Sequence, residues 1–137
     1  MNWLRNPGAL WANGYSVIRI FLGITLIYHG KEVFDAKLMG DYGKWLTDLH
    51  FPAPAIMAYL GKGSEFVGGV LLALGLFTRA ACVFLCVTFL SIAFFMGHGK
   101  IFMEDQHPFM YVLFCLIFIF SGAGNISFDS YFWKEKN

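Results

Sequence analysis

Charge is scarce in this chain. Of its 137 residues, 14% are Asp, Glu, Lys or Arg, well under the quarter usual in soluble domains, and long apolar runs fill the rest. With 58% hydrophobic and 19% aromatic residues, it reads as an integral membrane protein rather than a water-solvated domain. The formal net charge of +1 leaves no cationic surplus, and no Lys/Arg cluster is present to neutralise a row of phosphates, so nucleic acid is not an expected partner. Cysteine is sparse too. Cys82, Cys86 and Cys115 lie inside apolar segments with no Cys-x-x-Cys pair; no thioredoxin-like or metal site is indicated, and the thiols read as buried and inert. Dinucleotide and flavin fingerprints and iron–sulfur cysteine spacing are also missing. No small-residue cleavage pattern follows the first apolar run, where Lys31 and Glu32 come next, and neither end carries a lipidation motif. A retained first membrane helix is expected.

What is present is a set of apolar segments, and the most informative is the run from Pro54 to Arg79 with Glu65 near its middle. Crossing about 30 Å of hydrocarbon takes roughly 20 helical residues, which puts this carboxylate close to the midplane. A charge there costs about 2.5–3.5 kcal/mol on insertion scales. At 100° per residue Gly61, Ser64, Glu65, Gly68, Leu72 and Gly75 fall on one arc. Small residues let neighbouring membrane helices approach closely, so this arc faces the inside of a bundle. The plain reading of Gly68 and Gly69 is packing; Glu65, an intramembrane ionisable group, is a functional candidate.

Taken in order, residues 1–14 carry Trp3, Arg5 and Trp11, the rings and cation of a headgroup boundary, and form an interfacial N-terminal segment. Spans are expected at about residues 16–34, 55–77, 80–97 and 108–121. The connection from Asp35 to Pro54 is an exposed loop or holds a short interfacial helix through Tyr42–Leu49. On the third span Cys82, Cys86, Phe89 and Ala93 share one side, and His98 closes it. Glu104, Asp105 and His107 read as solvated loop residues, Pro108 as a first-turn residue of the fourth span, and Gly122-Ala123-Gly124-Asn125 as its stop. The tail, with Asp129 and Lys134, reads as an interfacial anchor. The expected fold is all-α: a single domain over residues 1–137, built as an antiparallel four-helix bundle in the membrane. Cations tie between the two sides; the acids of the first and third loops tilt the expectation toward both termini in the cytoplasm.

The polar residues suggest one intramembrane pocket. Centre-to-centre alignment of the first two spans places Glu65 about 7–8 Å in depth from both Arg19 and His29, so an Arg19–Glu65 pair is expected, with His29 and His98 toward the loop side. Each histidine reads either as a proton or ligand group or as an interfacial helix end. Haem ligation is not enforced by their spacing, and no metal site is predicted. Arg79 reads as a snorkelling interfacial cation.

The run Glu65-Phe66-Val67-Gly68-Gly69, followed through Gly75-Leu76-Phe77-Thr78-Arg79-Ala80-Ala81, closely resembles the signature of the DoxX family of small bacterial four-helix membrane proteins. Arg19 and Gly23, Tyr28-His29-Gly30, His98, Gly122-Ala123-Gly124-Asn125 and Ser127-Phe128-Asp129 extend the resemblance in order and spacing over nearly the whole chain. The resemblance implies a bacterial inner-membrane protein acting as membrane subunit of a quinone-linked oxidoreductase complex. It also implies a soluble redox partner and a cofactor that is the partner's or the quinone itself. Glu65, Arg19, His29 and His98 are then the candidates for binding or protonating the quinone. Rival readings are a non-catalytic scaffold or assembly factor, and a small proton-coupled transporter, for which a homo-oligomer would supply the missing volume.

Overall fold

The computed structural model describes residues 8–134, and every regular element among them is helical. α1 (Gly8–Gly30) tightens into a 3-10 turn at Lys31–Phe34. Asp35 then opens α2 (Ala36–Asp48): its carboxylate accepts the backbone N–H groups of Lys37 at 3.0 Å and Leu38 at 3.2 Å, donors that a helix start otherwise leaves unpaired. α3 (Pro54–Leu74) has proline in its first turn and stops at Gly75, whose φ of +69° is a conformation glycine adopts freely. α4 (Thr78–Ser91) runs on through a π-helical turn, Ile92–Met96; α5 (Gln106–Ser121) and the short α6 (Phe128–Lys134) complete the chain.

These bounds revise the expected start of the first helix. Residues 8–14 are its opening turns rather than a separate interfacial segment, because a single Gly14 costs only about 1 kcal/mol in a helix interior and no proline interrupts the run. Trp3, Arg5 and Lys136 lie outside the described residues.

Four helices share one core. Leu22 and Leu26 of α1, Leu72 of α3, Leu85 and Phe89 of α4 and Phe118 of α5 are buried together, and all three cysteines join them. α1 and α3 run antiparallel at backbone contact: a Cβ on Gly23 would lie 2.5 Å from the Ala73 nitrogen, one on Gly69 would lie 2.8 Å from that of Ile27, and one on Gly30 would strike the backbone of Phe66. Met39 and Leu46 of α2 pack on Ala58 of α3 in a second, smaller core.

The surface inverts the pattern of a water-soluble domain. Phe21, Ile24, Val67, Phe84, Leu113 and Phe120 are exposed, whereas Ser16, Arg19, Glu65 and Thr78 are buried. Among the described residues one helical run, Thr78–Met96, is long and apolar enough to cross a bilayer, and α5 is a shorter apolar helix. α1 and α3 are of comparable length, but Arg19 and His29 in one and Lys62 and Glu65 in the other lower their apolar content.

Candidate functional site

Helical spacing brings Lys62 and Glu65 to one side of α3, three residues apart. Glu65 is 5% exposed. Among the described residues its carboxylate receives one hydrogen bond, from Lys62 Nζ at 3.3 Å. The same ammonium lies 3.1 Å from Glu32 Oε2, which also accepts the Tyr42 hydroxyl at 2.7 Å. One cation is thus shared by two carboxylates, and the chain Tyr42–Glu32–Lys62–Glu65 links α2, the turn after α1 and α3. Burial, helped by the bond donated to Glu32, pushes the Tyr42 phenol above its ordinary value, so it remains a donor throughout the neutral range.

Glu65 opens onto a cavity of about 590 Å³ among α1, α2, α3, α4 and α5, within the roughly 300–1,000 Å³ of small-molecule sites. Its walls are largely apolar, with Trp45, Phe51 and Phe84 among them, and His29, Lys62, Ser64, Thr88, His107 and Tyr111 line it with Glu65. Tyr111 stacks on Phe89 at 4.7 Å between ring centres, His107 meets Tyr111 edge-on at 5.2 Å, and His29 meets His107 at 6.4 Å. Across the cavity Ser64 and Thr88 share a 2.8 Å hydrogen bond. A half-open, largely apolar cavity lined also by a carboxylate, imidazoles and a phenol suits an apolar molecule with a polar head that exchanges protons.

The expected constellation is only partly assembled. Glu65 faces inward on the glycine arc, with Gly68 against the Leu85 side chain and Gly69 against α1, and His29 lines the cavity beside it. Arg19 does not pair with Glu65. The glycine contacts set Gly30 against Phe66 and Gly23 against Ala73, so Glu65 is level with the end of α1 and Arg19 is level with Gly75, about 15 Å away along α3 at 1.5 Å per residue. Arg19, fully buried, instead donates from Nη2 to the Ile126 carbonyl at 2.6 Å. His98 is exposed and outside the cavity, its backbone N–H bonded to Asp105. Arg79 is exposed at the start of α4. Asp129 is a structural clamp: its two oxygens accept the N–H groups of Phe77 at 2.8 Å and Thr78 at 3.0 Å, capping α4 from α6.

Asp105 is not a solvated loop residue. It is buried and accepts the backbone N–H groups of His98 at 3.0 Å and Lys100 at 2.9 Å, because Gly97 and Gly99 fold the chain back over it. Asp105→Ala is expected to cost about 1–2 kcal/mol, the worth of two charge-assisted backbone bonds partly replaced by water, read as a lower melting temperature in detergent.

Sequence reasoning passed over Lys62, Glu32 and Tyr42, and left His107 in a loop. The signal for Lys62 was its spacing three residues before Glu65 inside an apolar run, where an unpaired ammonium is as costly as an unpaired carboxylate. Nothing local pointed to Tyr42 or Tyr111, which reach the site only through tertiary packing.

The sequence profile of the DoxX family matches residues 14–99. A Haemophilus influenzae protein described as an uncharacterized protein is 40% identical over 128 residues, covering 86% of this chain and 90% of that relative. No solved structure matches the chain significantly.

Proposed function

This chain belongs to the DoxX family of membrane proteins, and we propose that it is the membrane subunit of a quinone-linked redox complex, with the quinone head seated in the cavity beside Glu65. The observation that carries this reading is a buried carboxylate that receives, among the described residues, one long hydrogen bond and opens onto a largely apolar cavity of about 590 Å³ lined also by His29, Ser64, Thr88, His107 and Tyr111. A quinone supplies two-electron chemistry coupled to protons; the protein supplies the apolar walls, the donors and the proton sites. Tyr111 and His107 donate to the head, while the Glu65 carboxylate oxygen and the His29 imidazole nitrogen are the sites that exchange protons with it. Lys62 and Glu32 set the charge around Glu65. Arg19 and His98, lying elsewhere, have no part in the pocket.

The same proposal makes α1, α3, α4 and α5 the four membrane-crossing helices of a single domain. Most of their exposed side chains are apolar, and Ser16, Arg19, Glu65 and Thr78 are buried inside, an arrangement that suits a bilayer. α2 and α6 then lie at opposite interfaces, the latter presenting Tyr131, Phe132 and Trp133, with both termini on the cytoplasmic face of the bacterial inner membrane. Electrons come from a soluble partner carrying its own cofactor.

Glu65→Gln is the decisive substitution. Quinone turnover by membranes containing the complex is expected to fall by about 100-fold or more, the usual worth of a positioned proton-transfer group, while yield and melting temperature hold. An unchanged rate, together with purified protein that binds no quinone, would remove the reading. Reduced yield with an unaltered rate per molecule would identify a scaffold, and solute uptake into proteoliposomes a carrier.

A further inference from the structure

We infer, building on the quinone reading above, that the cavity holds the reduced, hydroxyl-bearing quinol in preference to the quinone. The argument is an inventory of hydrogen-bonding groups facing the cavity. Glu65 is a buried acceptor with one partner at 3.3 Å, although a carboxylate has room for about four. Lys62 is the ammonium in the lining, and it is already divided between Glu65 and Glu32.

Ser64 and Thr88 add acceptors rather than donors. Ser64 Oγ bonds the Gly61 carbonyl at 2.8 Å, Thr88 Oγ1 bonds that of Phe84 at 3.1 Å, and the two hydroxyls bond each other. The two hydroxyl hydrogens are already outnumbered by these three bonds, two of them to backbone carbonyls, so lone pairs are what remain for a ligand. Against these acceptors stand the Tyr111 hydroxyl and the imidazoles of His29 and His107.

A quinone head brings two carbonyl oxygens and no donor. It satisfies Tyr111 or an imidazole but sets an oxygen dipole against the Glu65 carboxylate, which stays buried and underbonded. A quinol brings two hydroxyls, each donor and acceptor: one donates to Glu65, and the other donates to an acceptor such as the Ser64–Thr88 pair while accepting from Tyr111 or His107. A buried polar group left without its partner is what makes such sites discriminate. A fatty acid, with a carboxylate head, is disfavoured by like charge beside Glu65.

The test compares ligands on the full chain in detergent under argon, titrating decyl-chain ubiquinol and decyl-chain ubiquinone against tryptophan fluorescence, to which Trp45 in the cavity wall contributes. Quinol is expected to bind about 10- to 100-fold more tightly, the factor for one hydrogen bond to a charged group, and laurate is expected not to displace it. In Glu65→Gln the preference is expected to vanish, since the amide donates to a carbonyl as well as accepting from a hydroxyl. Quinone binding as tightly as quinol, or a preference that persists in Glu65→Gln, overturns the inference while leaving a quinone site in place. Binding of neither form to the unaltered protein overturns the site itself. Should the variant fail to fold, the ratio measured on the unaltered chain decides.

Discussion

Gly23→Leu is expected to destabilise the protein by at least about 3 kcal/mol and to force α1 away from α3, because the new side chain meets backbone rather than a movable neighbour. A Cβ at this position lies 2.5 Å from the Ala73 nitrogen and 2.7 Å from the Gly69 carbonyl oxygen. Neither atom belongs to a rotamer that can turn aside. The helices must separate, and that opens a void along Leu22, Leu26 and Leu72, all buried in the shared core. Gly63→Ala, in α3 with nothing within 4 Å of its Cβ, is the matched control and should be neutral or stabilising by up to about 1 kcal/mol through the unfolded chain. Cys82, Cys86 and Cys115 are buried and free, so the melt is read directly with a thiol-reactive fluorophore. A Gly23→Leu protein that melts with the unaltered one would mean that α1 does not pack on α3 at this register.

That register is also where reading the sequence reached its limit. Helical periodicity correctly turned Glu65, Gly68 and Leu72 inward, because which face of a helix is buried is a local property of residue spacing; it put Cys82, Cys86, Phe89 and Ala93 on one side without saying which way that side faces, and that side is the buried one. The connection after the first run was open between an exposed loop and a short helix through Tyr42–Leu49; the helix forms, and it begins at Ala36, six residues before Tyr42, as Asp35 supplies the cap. How far one helix slides along another is not local. Aligning the two runs by their centres put Arg19 near Glu65; the glycines align them by close approach, shifting Glu65 to the level of Gly30. Arg19 and Glu65 therefore belong to opposite ends of the molecule, and the partner of Glu65 is Lys62, its neighbour on the same helix. Tyr42 and His107 were illegible for a related reason: Tyr42 reaches the site through the packing of α2 on α3, and His107 through the start of α5, two residues earlier than the expected span.

Asp129→Ala is expected to cost at least about 3 kcal/mol, combining a lost helix cap with a buried guanidinium deprived of compensating charge. Phe77, at φ +48°, sits in the left-handed region that a bulky residue seldom adopts. Asp129 holds it there by accepting the N–H groups of Phe77 and Thr78, while its own N–H donates to the Gly75 carbonyl at 2.8 Å. The same glycine meets Arg19, whose guanidinium is packed onto Gly75 and bonded to the Ile126 carbonyl, so the buried cation and Asp129 meet at one point. If both contributions are present, Arg19→Met combined with Asp129→Ala removes the stranded charge and is less damaging than the sum of the single substitutions. A coupling of about 1–2 kcal/mol is expected from the double-mutant cycle. Strict additivity would reduce Asp129 to a cap alone and leave the charge of Arg19 balanced by some other group, so the cycle separates the two roles that a single substitution merges.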